Sequence, residues 1–300
     1  LSRPTAVLVP LGARALTVTT GSLQGRVSLR EAPRTSARRA QAEQALRDGD
    51  LKKAEASLLG PAAGAPPDLA ERRLLARIAR RSAIAGEIPM IEAQQERLAV
   101  GRAAADAGRL SEAADDLLVT AYSRLTDTGD LAGAKALLDE AEGWAALAAD
   151  TLTFWEYVHG LWARETGDLG AALADLQSAD ERAGRLDLGD LRGDVRSALP
   201  EVLALLGRVE EALAMSPAPS GRGCDAAVAA TNRGWARLLG GGDVDEAATE
   251  LRDALDRADD RCPDRLPILA LNLSYAEEAR GRHDEAAKWL SLARDATRPD

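Results

Sequence analysis

His159 and His283 are the chain's only imidazoles, and Cys224 and Cys262 its only thiols. A thiol nucleophile needs a base within hydrogen-bond reach. His159 stands inside the helical run "FWEYVHGLWARE", and Cys224 opens another helix after a loop, with no strand–loop framework around either. No catalytic residue is therefore expected. His159 reads as a packed or half-exposed helix residue, Cys224 as a small apolar filler, and Cys262, in "DRCPD", as a partly exposed residue between repeats. A Cys224–Cys262 disulfide could form on paper, but nothing in the sequence implies an oxidising compartment. No C-x-x-C or H-x-x-x-H spacing occurs, which argues against structural zinc. "GRGC" (221–224) and "GGGD" (240–243) lack the Lys-Ser/Thr of a phosphate loop. The paired acids Asp115–Asp116 and Asp259–Asp260 read as solvated charge, and no calcium loop is present. No metal and no cofactor is expected.

The aromatic residues say more. They make up only 3% of the chain, yet Trp144, Phe154, Trp155, Tyr157 and Trp162 crowd one helix and its entry. On that helix Phe154, Tyr157, Val158 and Leu161 share one face. Trp155, Val158, His159 and Trp162 share an overlapping second one. A single apolar stripe is enough to dock a helix, and this arc is wider. The surplus rings either pack against the preceding hairpin near Trp144 or stand exposed as a partner's hot spot. In the second reading Phe154, Trp155, Tyr157 and Trp162 meet the partner, and Arg164, one turn beyond Gly160, pairs with an acidic or C-terminal group on it.

The elements that must position these residues are helical. From about Ser36 onward a motif recurs: Gly, a polar residue, an apolar one, and Ala five residues after the Gly. It appears at Gly49–Ala54, Gly108–Ala113, Gly129–Ala134, Gly167–Ala172, Gly207–Ala212, Gly242–Ala247 and Gly281–Ala286. Leu follows nine residues after the Gly at Leu58, Leu117, Leu138, Leu176, Leu251 and Leu290. The last five glycines are 38, 40, 35 and 39 residues apart. Gly108 breaks that period, so Gly86 is taken as the degenerate turn of the second repeat and Gly108 as a connection between repeats. Physically, Gly ends one helix in the left-handed conformation, Asp can start the next, and the Ala lies where two helices cross closely. Small residues midway along the first helix of a pair are clear at Gly160, Gly234 and Ser274, and replaced by Tyr122 and Pro200 elsewhere. Pro200 is expected in a first turn or at a kink. "GPAAGAPPD" (60–68) and "SPAPSGRG" (216–223) read as loops.

Residues 1–34 differ. "TAVLVPLG", "ALTVTTG" and "GRVSLRE" are short and β-branched, and read as two or three strands. The net charge of −10 disfavours nucleic acid as a partner. No uncharged apolar run reaches the ~18–20 residues of a membrane span, so no direct membrane insertion is expected, and no signal peptide is visible. The chain opens on Leu1 rather than Met, as expected of a removed tag or a piece of a longer protein.

Residues 36–297 resemble the tetratricopeptide repeat, with a longer period than that family's. The resemblance implies an all-α, right-handed superhelix of about seven stacked hairpins over residues 35–300. It also implies a protein or peptide partner held in a groove lined by the first helix of each pair. Asn232 and Asn272, two residues before the small Gly234 and Ser274, stand near where an Asn of that family can hold a ligand's backbone. With Trp235 and Tyr275 they complete the candidate partner-binding set. The Lys and Arg pattern of the family's carboxylate clamp is not evident. "AGRLSEAADDLLVTAY", "TGDLAGAKALLDEAE", "HGLWARETGDLGAALADLQSADERAGRL" and "RCPDRLPILALNLSYAEEARGRHDEAAKWLSLARDA" further resemble the repeat region of large bacterial CHAT-domain proteins. That resemblance implies a cytoplasmic regulatory or sensor scaffold, itself not an enzyme, with a caspase-like cysteine protease domain in cis beyond Asp300. The alternative is a stand-alone adaptor or the repeat domain of a transcriptional regulator.

Overall fold

The computed structural model describes residues 15–20, 23–28, 36–60, 66–216, 219, 223–258 and 266–296. "TAVLVPLG" and Cys262 lie outside them, as do parts of both expected loops. The chain divides into two compact units, Leu1–Ile78 and Ala79–Asp300. Among the described residues there are two strands and fourteen α-helices, and from Met90 onward successive helices pack on one another. None of these helices is long and apolar enough to cross a membrane.

The first unit holds the hairpin of β1 (Ala15–Thr20) and β2 (Leu23–Ser28), paired antiparallel with Ala15 opposite Ser28. It also holds α1 (Ala37–Arg47), α2 (Leu51–Leu59) and the first part of α3 (Leu69–Ile84). Ala42, Ala45, Leu46, Ala54, Leu58, Leu74 and Ile78 form its core. Asp68 and Glu71 make a capping box at the start of α3: Glu71 N donates to Asp68 Oδ1 at 2.9 Å, and Asp68 N to Glu71 Oε2 at 3.0 Å. The Glu71 carboxylate, 1% exposed, also accepts from Ser36 Oγ and Arg38 Nε, each at 2.7 Å. One carboxylate thus ties the start of α1 to the start of α3. Chiefly the Arg38 hydrogen bond holds its pKa down, from 4.5 to about 2.

The second unit runs through α4 (Met90–Asp106), α5 (Leu110–Ser123), α6 (Leu131–Ala145), α7 (Ala149–Glu165), α8 (Leu169–Leu186), α9 (Gly189–Leu205), α10 (Val209–Met215), α11 (Cys224–Leu239), α12 (Val244–Arg257), α13 (Leu266–Ala279) and α14 (His283–Ala296). Most of its turns share one construction. Gly167 has φ +85°; its N–H bonds to Arg164 O, and the Asp168 N–H reaches back to Ala163 O at 2.9 Å. That is a Schellman ending. The same Asp168 then caps α8 by accepting from Ala171 N. One Gly-Asp dipeptide both ends and begins a helix. Where Arg follows the Gly, the cap is missing, and Arg109 and Arg208 instead grip Glu112 and Glu211 three residues on.

The structure corrects the expected repeat in several places. Gly108 has φ +72° and joins the closely packed α4 and α5, so it is a hairpin turn like the others rather than a mere connection. In "GGGD" the left-handed residue is Gly241, not Gly242, and Gly242 is one extra residue before the Asp243 cap. A second extra residue is absorbed ahead of Gly129, where 124–128 widen into a π turn and Asp130 N reaches Arg124 O. Pro200 lies in the interior of α9, not in its first turn. Leu290 is 53% exposed, because Trp289 takes the inward place against Leu273 and Ala276.

The crossings themselves are as expected. Ala54, Ala113, Ala134, Ala172, Ala212, Ala247 and Ala286 are all buried, as are the leucines other than Leu290. A Cβ on Gly160 would lie 2.9 Å from Leu176 Cγ, and one on Gly234 would lie 2.8 Å from Leu251 Cγ. Gly101 approaches Asp116 and Ala113 in the same way. The largest core, which spans α4 to α9, includes Leu98, Leu117, Leu138, Tyr157, Val158, Leu176 and Val202.

Two outcomes follow. Ala172→Leu should lower stability by ~1–3 kcal/mol through overpacking. Gly207→Ala, where a Cβ meets nothing within 4 Å, should cost only the left-handed backbone term of ~1–2 kcal/mol; denaturant midpoints check both. For Glu71 the folded pKa is depressed, so its contribution is full above pH 4.5 and is lost as pH falls toward about 2. The difference in denaturation midpoint between wild type and Glu71→Gln should shrink over that window and stay constant above it.

Candidate protein-binding faces

In the second unit α5, α7, α9, α11 and α13 pack in succession, each on the next. They form one continuous face, and α7 brings its aromatics to it. The helical period divides those rings between two environments. Trp155, His159 and Trp162 turn toward the neighbouring second helices. Trp155 Nε1 donates to Leu138 O at 3.0 Å and Trp162 Nε1 to Leu131 O at 3.2 Å, both carbonyls on α6. His159 stacks on Trp155 with ring centroids 4.7 Å apart, and its Nδ1 lies 2.6 Å from Asp175 Oδ2 on α8. Lys135 sits 5.3 Å from the centroid of Trp162. These rings join α7 to α6 and α8, and both indole N–H groups and His159 Nδ1 are already engaged.

Phe154 and Tyr157 turn toward α5 and α9. Tyr157 packs against Tyr122 at 6.1 Å and Phe154 at 6.4 Å. It is 6% exposed, and burial pushes its phenol up from the ordinary value. This corrects the exposed placement expected for Tyr157. Arg164 is corrected too. Its guanidinium already pairs with Glu201 on α9 and with its neighbour Glu165. Of the α7 set, Phe154 is left half-buried beside the face with no polar group to satisfy.

A second stretch of the same face is more open. Tyr275 on α13 is 52% exposed, its ring 5.9 Å from Trp235 on α11. Asn232 lines a small cleft with Val228, Thr231 and Ile268 between these helices, and Ile268 is itself exposed. Asn272, one turn beyond Ile268, is 9% exposed. Among the described residues neither the Asn232 nor the Asn272 amide has a hydrogen-bond partner, although an amide can make four such bonds. The structure thus brings Asn232, Trp235, Asn272 and Tyr275 together on α11 and α13, and leaves the α7 residues as a separate group. Ile268 was absent from the sequence-derived set, because an isolated apolar residue at a helix start carries no sign of its exposure.

The thiol–imidazole pairing has no place here. Cys224 is disulfide-bonded, which corrects its reading as a packing filler, and the chain's other cysteine, Cys262, is outside the described residues. His159 is held by Asp175, with no nucleophile in the pair.

No protein-family model matches the chain, and no curated protein matches it. Among solved structures, the crystal structure of BtubC (BKLC) from P. vanneervenii is similar at 19% identity and a TM-score of 0.44, covering 77% of this chain and 92% of that one.

The two groups separate by stability. Tyr157→Ala should destabilise the array by ~3 kcal/mol or more, as large core truncations do, whereas Tyr275→Ala should stay within about 0.5 kcal/mol of wild type. Thermal denaturation of the two variants side by side checks this.

Proposed function

We propose that this chain is a non-catalytic, protein- or peptide-binding helical repeat scaffold, and that the α11–α13 face is a seat for an extended peptide. The observation that carries it is the pair of unpartnered amides, Asn232 and Asn272, at the same position of successive repeats beside the Trp235–Tyr275 pair. A carboxamide offers both a donor and an acceptor, so it complements a backbone peptide unit whose own N–H and C=O need partners. Trp and Tyr supply rigid apolar area at low entropic cost. Phe154, half-buried beside the face, would extend the contact along it.

The narrower reading is the regulatory or sensor region of a CHAT-domain caspase-like protease. It is supported by the wording of the repeats alone. A stand-alone adaptor or the repeat domain of a transcriptional regulator is the alternative. The coding sequence that follows would separate them: His and Cys at strand ends for the protease, a helix-turn-helix for the regulator. The disulfide at Cys224 favours an oxidising compartment over the cytoplasmic one expected from the sequence.

The test is selection of peptides from a random displayed library by the folded full chain, followed by titration of a synthetic winner. Asn232→Ala, Asn272→Ala and Trp235→Ala should each weaken the selected peptide at least about tenfold with the helical circular dichroism unchanged. Failure to enrich any peptide, or winners indifferent to all three changes, would sink the proposal.

A further inference from the structure

Some distance along the same face, where α7 and α9 begin, lies a pocket of about 460 Å³ lined by Asp115, Asp150, Thr151, Asp187, Asp190 and Leu191. Four carboxylates converge on it from α5, the start of α7 and the α8–α9 turn. Asp115 is the one with a cation, Arg97, whose Nη2 is 3.5 Å away. Asp150 accepts from the backbone of Thr151, and among the described residues no cationic side chain pairs with Asp150, Asp187 or Asp190. The nearby arginines of α9 are already engaged: Arg192 and Arg196 both bind Asp180 on α8.

A bland account exists for part of this. Acids at helix starts stabilise the macrodipole, and Asp150 and Asp190 stand in the first turns of α7 and α9. The magnitudes decide against it as a full account. Two helix N-termini contribute about half a positive charge each. Together with Arg97 they leave the four carboxylates well short of neutrality. Asp194, one turn further along α9, senses this. Its pKa is raised, first by burial and then by the charge of Asp190.

Thr151 supplies an independent sign. It is 8% exposed, it lines the pocket, and its hydroxyl has no hydrogen-bond partner among the described residues. Thr120, Thr153 and Thr166 each donate to a helix carbonyl one turn back; Thr151, in the first turn of α7, has no helix carbonyl there to reach. A hydroxyl without that outlet, on a cleft rimmed by carboxylates, is placed to accept from an N–H donor.

We infer that this pocket receives an arginine or lysine side chain of a partner polypeptide, its cationic head held among Asp150, Asp187 and Asp190 and donating to Thr151 Oγ1. The inference rests on the peptide-binding reading and gives that partner a basic residue, opposite in sign to the acid that Arg164 would have demanded. Leu191 and the rim of α5 would cover the aliphatic stem.

The probe is a fluorescein-labelled nonapeptide alternating Arg with Ser, with its Gln-for-Arg counterpart as reference, followed by anisotropy against the full chain at about 150 mM salt, where long-range attraction is screened. Wild type should bind the Arg peptide and not the Gln peptide. The triple change Asp150→Asn, Asp187→Asn, Asp190→Asn should weaken it at least about tenfold, and Thr151→Val by about threefold or more. Asparagine keeps a side-chain oxygen at 150 to accept from the Thr151 backbone and tolerates the left-handed conformation of Asp187, φ +57°, so the helical signal should persist. The control triple Glu140→Gln, Glu142→Gln, Asp256→Asn removes as much charge from elsewhere and should leave binding intact. Equal loss in the control, or no binding of the Arg peptide by wild type, overturns the inference. If a library-selected peptide still binds the α11–α13 face in that case, only this inference falls; if neither binds, the peptide-binding reading falls with it.

Discussion

The array depends on helices that approach too closely for a side chain to stand between them. At each crossing an alanine of the second helix, such as Ala172 or Ala247, is fully buried. Opposite it, at Gly160 and Gly234, even a Cβ would press on Leu176 or Leu251. A core rich in Ala buries little area per residue, so it can be stable only if the backbones come near enough for many small contacts to add up. That requirement explains the composition. It also explains why the bulky rings collect around α7, where the spacing between α6, α7 and α8 leaves room for a Trp–His–Trp stack with its indole nitrogens bonded to backbone carbonyls.

Most of this frame was legible. Gly, Ala and Leu at fixed spacing identify a turn, a crossing and a filled neighbour, because each position tolerates few residue types. The misreadings come from places where several residues satisfy the same rule. Three consecutive glycines at 240–242 can each take the left-handed position, and only the hydrogen bonds single out Gly241. Trp289 and Leu290 are both apolar and adjacent, so the period could not choose which of them faces inward.

The candidate sites were less legible, for a different reason. Periodicity reports which face of α7 carries Tyr157, but not that Tyr122 from another helix lies against it. Arg164 finds Glu201 across 37 residues of sequence. Asp150, Asp187 and Asp190 each look like ordinary helix-boundary acids when read in line, and only the fold gathers them around Thr151. The Asn232 and Asn272 pair was visible because it recurs at the repeat spacing, and its lack of partners is a property of the folded chain.

The two irregular turns carry a consequence for how such a chain can change its length. Gly242 and the widened turn ahead of Gly129 each add a residue outside the stretch that runs from capping Asp to crossing Ala. That stretch stays five residues long at Asp130–Ala134, Asp168–Ala172 and Asp243–Ala247 alike. One residue gained inside it would swing Ala and Leu by about 100° around the helix and carry both off the crossing. Gain or loss of single residues is therefore absorbed at the hinge of a pair and forbidden within its arms, so that neighbouring repeats can drift in period while every crossing keeps the same fit.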